Sequence, residues 1–213
     1  MKKIFFALIA SFALSSAVFG AKYKELPDNI QFQNAHGSVI EVFSYGCIYC
    51  YHHHKAHTLA NAKKLGASVE VWQVEQMAPF GADFAKILAF ARAIDTKNED
   101  DITDEGSVTN SIMDAYFEAT FVLRVSFKSA DEFYAPALAI FEKAGHVVSI
   151  NDIQNYSESD AGKAYLERSA QGLEVAKIVG TPAFVVNGKY VLENSQIKSE
   201  EDFTNIVKEL LVK

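Results

Sequence analysis

The stretch from Val39 to Cys50, VIEVFSYGCIYC, joins an apolar run to a pair of cysteines. Residues 39–44 are rich in β-branched and aromatic side chains, which predicts a buried strand. Residues 52–65 contain neither proline nor glycine and predict a helix that Gly66 ends. Residues 68–74, SVEVWQV, predict a second strand. The order strand, helix, strand indicates a βαβ unit with a parallel sheet, so we expect an α/β fold.

The apolar residues that follow have helical spacing from Phe80 to about Arg168, which predicts a helical insertion. Residues 160–179 predict one further long helix.

Sheet signals return near the end of the chain. Two short apolar runs flank Asn187-Gly188 and predict a β-hairpin. Ser199 to Asp202 has the pattern of a capping box, and residues 203–211 behind it predict an amphipathic helix packed on the sheet.

The first twenty residues have the layout of a secretory signal. Lys2 and Lys3 precede an apolar run, and small residues follow it, so we predict a signal peptide over 1–20 with cleavage after Gly20. The apolar run is shorter than the roughly 20 residues of a membrane span. We therefore expect an exported, soluble protein. The formal net charge of −7, without a basic block, argues against nucleic acid or anionic lipid as a partner.

The chain has two cysteines, and both lie in this motif. In an oxidising compartment they can persist as a disulfide. A structural disulfide stabilises most when it closes a long loop. A bond between Cys47 and Cys50 would close almost none, which favours a chemical role over a structural one.

Histidines beside the cysteines allow other interpretations of the motif. Haem attachment uses C-x-x-C-H, but Tyr51 stands where that histidine belongs. A metal carrier with Cys47, Cys50 and His54 as ligands is an alternative, although no second ligand pair completes the site. The simplest alternative is that residues 52–57 are mostly solvated helix residues.

A redox role explains more of the motif. A cysteine at the first turn of a helix faces unpaired N–H groups and the positive end of the helix dipole. Both stabilise a thiolate and lower its pKa, so Cys47 is predicted to be the attacking thiol. Cys50, one turn further along, is predicted to be the shielded resolving thiol.

Two further positions fit this chemistry. Glu41 lies in an otherwise apolar strand, where a buried carboxyl could exchange protons with Cys50. The alternative is a strand edge that touches water. A cis bond between Thr181 and Pro182 would expose unpaired backbone groups of Thr181 to an extended substrate, whereas an ordinary trans proline would not.

Together these residues resemble the DsbA family of exported thiol:disulfide oxidoreductases. The resemblance rests on VIEVFSYGCIYCYHHH, on the helical block after SVEVWQV and on GTPAFVVNGKYVL. It implies a thioredoxin fold, with a central mixed sheet flanked by helices and an inserted all-helical domain. The thioredoxin domain would comprise residues 21–78 and 165–213, and the insertion residues 79–164.

The same resemblance implies the roles of the site residues. Cys47 and Cys50 would form the redox disulfide, with Glu41 as the third catalytic residue. The substrate-binding residues would be Ile48, Tyr49, Thr181 and Pro182. No metal and no cofactor is expected.

The implied function is a periplasmic, monomeric dithiol oxidase. Its substrates would be reduced exported proteins, and a quinone-linked membrane partner of the DsbB type would reoxidise it. Ile48-Tyr49 replaces the Pro-His of the best-known members, which predicts a weaker oxidant. Thr181 before the proline also occurs in isomerase-type relatives. Few residues precede the first predicted strand, so we expect no N-terminal dimerisation domain. A reductase or isomerase, a metal carrier and a purely structural binding domain are the alternatives.

Overall fold

The computed structural model describes residues 21–213, and the predicted signal peptide lies outside them. Within this range five strands form one mixed sheet in the order β1–β5–β4–β2–β3. The strands are β1 (Tyr23–Glu25), β2 (Ser38–Phe43), β3 (Ser68–Gln73), β4 (Ala183–Val186) and β5 (Tyr190–Leu192). Strand β2 pairs in parallel with β3 and antiparallel with β4. The parallel pair confirms the predicted βαβ unit, and β4 with β5 confirms the hairpin.

The sheet has one strand that the sequence patterns did not predict. Strand β1 pairs antiparallel with β5, with Tyr23 opposite Leu192. Its three residues are too few to show an alternating pattern.

Helices cover the sheet and fill the chain between β3 and β4. They are α1 (Ile48–Lys55), α2 (Thr58–Lys64), α3 (Gly81–Asn98), α4 (Val108–Phe117), α5 (Ala130–Lys143), α6 (Ile150–Ser157), α7 (Asp160–Ala170), α8 (Gly172–Val179) and α9 (Glu200–Leu211). A π-helical turn, Glu118–Val122, extends α4. None of the helices within residues 21–213 is both long and apolar enough to cross a membrane. The predicted domain boundary at 164/165 falls inside α7 and stays a prediction.

Two predicted helices are each divided in the structure. The helix expected over 52–65 is two helices, because His57 adopts a left-handed conformation (φ 51°) between α1 and α2. The helix expected over 160–179 breaks between Ala170 and Gly172. A Cβ on Gly172 would lie 2.9 Å from Cγ1 of Val42, so the glycine lets α8 approach the sheet closely.

The predicted capping box of α9 forms only in part. The Ser199 hydroxyl accepts a hydrogen bond from the backbone N–H of Asp202 at 3.1 Å. The Asp202 carboxylate, however, accepts from the N–H of Lys198 at 3.2 Å instead of that of Ser199. The amphipathic helix itself is confirmed, since Phe203, Val207 and Leu210 are buried.

Strand β2 divides the core into two clusters, one on each face of the sheet. Val39 and Phe43 pack with the aromatic residues of the helices between β3 and β4, whereas Ile40 and Val42 pack with the cluster around Trp72. Side chains alternate along a strand, so Glu41 points to the same face as Val39 and Phe43. The strand thereby places a carboxyl within an apolar layer.

Candidate active site

Cys47 is positioned by the turn from β2 into α1. It is the N-cap residue of α1 and has an extended conformation (φ −98°, ψ 117°). Its sulfur accepts a hydrogen bond from the backbone N–H of Cys50, with Sγ and N 3.3 Å apart. Both cysteines are free thiols in this structure; Cys47 is half-buried and Cys50 is buried.

The environment of Cys47 favours its thiolate. Hydrogen bonds lower the pKa of Cys47 to about 6, and the largest effect comes from the Cys50 thiol. Burial opposes this effect. Hydrogen bonds with Thr181 and with the N–H groups of Cys50 and Tyr49 lower the pKa further. The N–H groups are those that the first turn of a helix leaves unpaired. Cys47 is therefore placed as an acidic, partly exposed thiol, as the sequence predicts.

Cys50 has the opposite environment. Its side chain is 0 % exposed. Burial raises the pKa of the Cys50 thiol far above its ordinary value, and the hydrogen bond to Cys47 and the charge of Glu41 raise it further. One turn of helix thus separates a thiol that ionises readily from one that holds its proton.

Glu41 lies in the interior, between the two neighbours of its strand. It is opposite Val71 of β3 and Phe184 of β4, so the alternative of a solvated strand edge is wrong. Burial, and then the negative charge of Cys47, raise the pKa of Glu41 to about 8. A carboxyl in this state still carries its proton at pH 7 and can act as an acid.

The Thr181–Pro182 peptide bond is cis, as one of the two interpretations of the sequence expected. Thr181 lies against the reactive sulfur, since its carbonyl oxygen accepts a hydrogen bond from Cys47 Sγ at 3.2 Å. The expectation that its backbone groups are unpaired is therefore wrong for the carbonyl while Cys47 is a protonated thiol. The Asn194 side-chain amide donates to the carbonyl of Pro182 at 2.7 Å and fixes the far side of this loop.

The two residues between the cysteines face solvent. Ile48 is 41 % exposed and Tyr49 is 67 % exposed. Large apolar side chains at such exposure leave contact surface directly beside Cys47.

The histidines of residues 52–57 divide into half-buried and exposed positions. His53 contacts the Thr58 hydroxyl through Nδ1 at 3.1 Å, and His54 contacts Asp114 through Nε2, also at 3.1 Å. Burial is the first cause that lowers the pKa of both residues. The alternative that residues 52–57 are mostly solvated helix residues therefore does not describe His53 and His54, which are half-buried. His52 and His57 are exposed.

Metal ligation is not supported by the placement of these side chains. Within the described part of the chain, no group of three or more His, Cys, Asp or Glu residues is arranged to hold a metal ion. Cys47, Cys50 and His54 therefore do not form the ligand set that the metal-carrier alternative requires.

The sequence patterns missed Asp114, which comes from α4 to contact His54. The two residues are 60 positions apart, and Asp114 is one of several acidic residues in a helical block. Only the tertiary packing of α4 against α1 brings them together, so no local signal could have found the pair.

Comparison with known proteins gives the chain its relatives. No family model matches it. It is 29% identical over 209 residues to the thiol:disulfide interchange protein DsbL of Escherichia coli O6:H1 (strain CFT073), covering 97% of this chain and 92% of that protein. It is 27% identical to the thiol:disulfide interchange protein DsbA of Pectobacterium carotovorum subsp. carotovorum, with 100% of both chains covered.

Solved structures agree with these relatives. The crystal structure of reduced DsbL superposes with a TM-score of 0.80 at 26% identity, over 91% of this chain and 98% of that one. DsbA from Klebsiella pneumoniae shares the fold, with a TM-score of 0.69 over 91% of this chain and 97% of the other. The mixed sheet with inserted helices is thus the thioredoxin fold of these proteins. With two thiols at the start of α1 and similarity to DsbL and DsbA along nearly its whole length, the chain is a thiol:disulfide oxidoreductase that resembles the DsbA family.

Proposed function

We propose that this oxidoreductase is a periplasmic dithiol oxidase, which gives the Cys47–Cys50 disulfide to reduced exported proteins. The observation that carries the proposal is the contrast between the two sulfurs. Cys47 is half-buried and has a pKa lowered to about 6, whereas Cys50 is buried and holds its proton. Stabilisation of the Cys47 thiolate favours the reduced form, which makes the disulfide an oxidant.

The reaction begins when a substrate thiolate attacks the Cys47 sulfur. The bond between the two sulfurs breaks, its electron pair goes to Cys50 Sγ, and a mixed disulfide joins the substrate to Cys47. Because Cys50 is buried, its thiolate must take up a proton, and Glu41 is the buried acid that gives it. A second substrate thiolate then attacks the substrate sulfur of the mixed disulfide. Cys47 leaves as its stabilised thiolate, and the substrate leaves oxidised.

The loop at Thr181 and the exposed dipeptide Ile48-Tyr49 form the substrate site in this proposal. The Thr181 carbonyl contacts Cys47 Sγ in the reduced state. A thiolate or a disulfide sulfur has no proton to donate, so in either state of Cys47 the carbonyl is available to a substrate backbone N–H. Ile48 and Tyr49 would pack against apolar substrate side chains beside this backbone hydrogen bond.

The signal peptide predicted for residues 1–20 supports the periplasmic location. After each turnover both cysteines of the enzyme are reduced to thiols, so the cycle needs an electron acceptor that restores the disulfide. We propose a DsbB-like, quinone-linked membrane oxidase as that partner, and a monomer as the working form.

Oxidation of a reduced, unfolded test protein measures the proposed activity. The oxidised enzyme should form disulfides in the test protein stoichiometrically, and Cys47→Ser should form none. A wild-type enzyme no better than Cys47→Ser would contradict the proposal.

A reductase or isomerase with the same cysteines is the second candidate, and Thr181 before the proline is the observation that favours it. The reduction potential separates the two functions. Equilibration with glutathione should place the potential of an oxidase above the glutathione range, whereas a potential near that of thioredoxin, about −270 mV, would favour the reductase.

A further inference from the structure

Glu41 and residues nearer the protein surface line one small cavity. Its volume is about 30 Å³, and its lining includes Glu41, His54, His57, Asn110 and Met113. Glu41 and Met113 are buried, whereas His57 is exposed, so the lining includes both interior and surface residues. A cavity needs roughly 10–15 Å³ to hold a water molecule. This cavity therefore has room for water between the buried acid and the solvent.

One oxygen of the Glu41 carboxyl lacks a hydrogen-bond partner among the described residues. Within residues 21–213, Oε1 of Glu41 makes no hydrogen bond with another protein group. Leaving a buried polar atom unsatisfied costs about 1–3 kcal/mol, and ordered water is the usual remedy when protein groups are lacking. Water in the cavity can satisfy this oxygen.

His54 is held in place on the same cavity. Asp114 Oδ1 lies 3.1 Å from Nε2 of the imidazole, and the Phe117 ring packs against it with 5.2 Å between ring centroids. The charged or titratable groups around it are Asp114 from α4 and Lys55 and His57 from its own segment. Burial lowers the pKa of His54, while Asp114 opposes this effect. The bond to Asp114 occupies Nε2, and Nδ1 is the second nitrogen that can carry a proton.

We propose that His54, held by Asp114, passes protons between the solvent and Glu41 through water in this cavity. The inference rests on the proposed function, in which Glu41 gives its proton to Cys50 and is reprotonated through the relay in that same step, so the rate of disulfide reduction depends on the relay. His54 would act as a positioning and relay residue, since it serves Cys50 only through Glu41.

The proton balance of the relay is simple. When the disulfide breaks, the Cys50 thiolate takes the proton of Glu41. The Glu41 carboxylate takes a proton from cavity water. Nδ1 of the His54 imidazolium then gives its proton to that water. Asp114 stabilises the imidazolium cation. The imidazole then regains a proton from the solvent. One proton enters from the solvent, and the electrons stay on the two cysteine sulfurs.

The test is the rate at which dithiothreitol reduces the disulfide of the full chain, followed by acid quench and thiol alkylation. We expect His54→Gln to slow this reduction by roughly tenfold in weak buffer, less than the 10²–10⁴ of a direct general acid. Added imidazole should restore the rate, because a diffusible acid replaces the relay. The wild-type rate should not depend on imidazole. His52→Gln, an exposed histidine on the same helix, is the matched control and should behave as the wild type.

A second variant keeps the proposal testable if His54→Gln does not fold. Asp114→Asn keeps His54 but removes the charge that stabilises its cation, so it should also slow the reduction and respond to imidazole. Rates for both variants equal to that of His52→Gln, or a loss that imidazole does not reverse, would overturn the relay. Oxidation of the test protein by the wild type but not by Cys47→Ser would show that the proposed function survives such a result.

Discussion

The sulfur of Cys47 lies 3.3 Å from the backbone nitrogen of Cys50, so the residue that begins helix α1 also caps it. A serine or aspartate usually fills this position and accepts the same hydrogen bond through oxygen. Here a thiol does so, and each N–H that a cap satisfies also stabilises a negative charge on the sulfur. The acidity of Cys47 therefore follows from the geometry of the helix start.

The first prediction concerns the ionisation of Cys47. The rate of its alkylation by iodoacetamide should rise with pH around a midpoint near 6, since its pKa is lowered to about 6. Cys50→Ala removes the thiol hydrogen bond, which is the largest cause of the shift, and should raise the midpoint. The backbone N–H groups remain, so the midpoint should stay below the ordinary value of 9.0. A wild-type midpoint at that ordinary value would contradict the acidity of Cys47, and with it the argument for an oxidant.

The second prediction concerns stability against pH in the reduced protein. The pKa of Glu41 is raised from 4.5 to about 8, so the folded state binds the extra proton and the free energy of unfolding falls as pH rises between these values. The pKa of Cys47 is lowered from 9.0 to about 6, so the free energy of unfolding rises with pH between 6 and 9. The two effects oppose each other between pH 6 and 8.

Two variants should separate the fall of the free energy of unfolding with pH from its rise. In urea unfolding, Glu41→Gln should lose the fall that begins at pH 4.5 and keep the rise from pH 6. Cys47→Ser should lose the rise and keep the fall. A Glu41→Gln profile with the same acid limb as the wild type would mean that the carboxyl does not titrate as its burial requires.

The sequence could predict the parts of this site that are local. The strand, the helix start and the two cysteines are neighbours in the chain, so periodicity and the C-x-x-C spacing define them. The cis proline loop is distant, but Thr181-Pro182 stands directly before a strand, where proline is unusual. The break between α1 and α2 gave no signal, because His57 adopts a left-handed conformation that sequence patterns assign to glycine or asparagine.

The environment of Glu41 and His54 could not be predicted in the same way. The burial of Glu41 depends on β4, which pairs beside β2 although 140 residues separate the two strands in sequence. The pairing of His54 with Asp114 depends on how α4 packs. Both are tertiary relationships, and a single sequence contains no pattern that records them.

The third prediction concerns Thr181, which lies against the reactive sulfur. Thr181 is among the groups whose hydrogen bonding lowers the pKa of Cys47. Thr181→Val keeps the shape and the backbone carbonyl but removes the hydroxyl, so the alkylation midpoint of Cys47 should rise. The rise should be smaller than that in Cys50→Ala, because the Cys50 thiol has the larger effect. Thr181→Ser keeps the hydroxyl and should leave the midpoint near 6; an equal change in both variants would exclude the hydroxyl as the cause.

The last prediction concerns Asp95, a fully buried carboxylate in α3 that holds the start of α4. It accepts hydrogen bonds from the backbone N–H groups of Val108 at 2.7 Å and Thr109 at 2.9 Å. Asp95→Ala would leave these two donors unsatisfied in the interior, at a cost of about 1–3 kcal/mol each, so we expect the free energy of unfolding to fall by about 3 kcal/mol.

Asp152 offers the matched control for this prediction. Its carboxylate accepts from the N–H of Ser149 at 2.8 Å at the start of α6, but it is exposed to solvent. Water can replace the lost acceptor in Asp152→Ala, so its loss of stability in urea unfolding should be clearly smaller. Equal losses in the two variants would show that burial is not what makes the Asp95 carboxylate important. A larger loss for Asp95→Ala would show that the buried side chain of α3 stabilises the start of α4, the helix that carries the partner of His54.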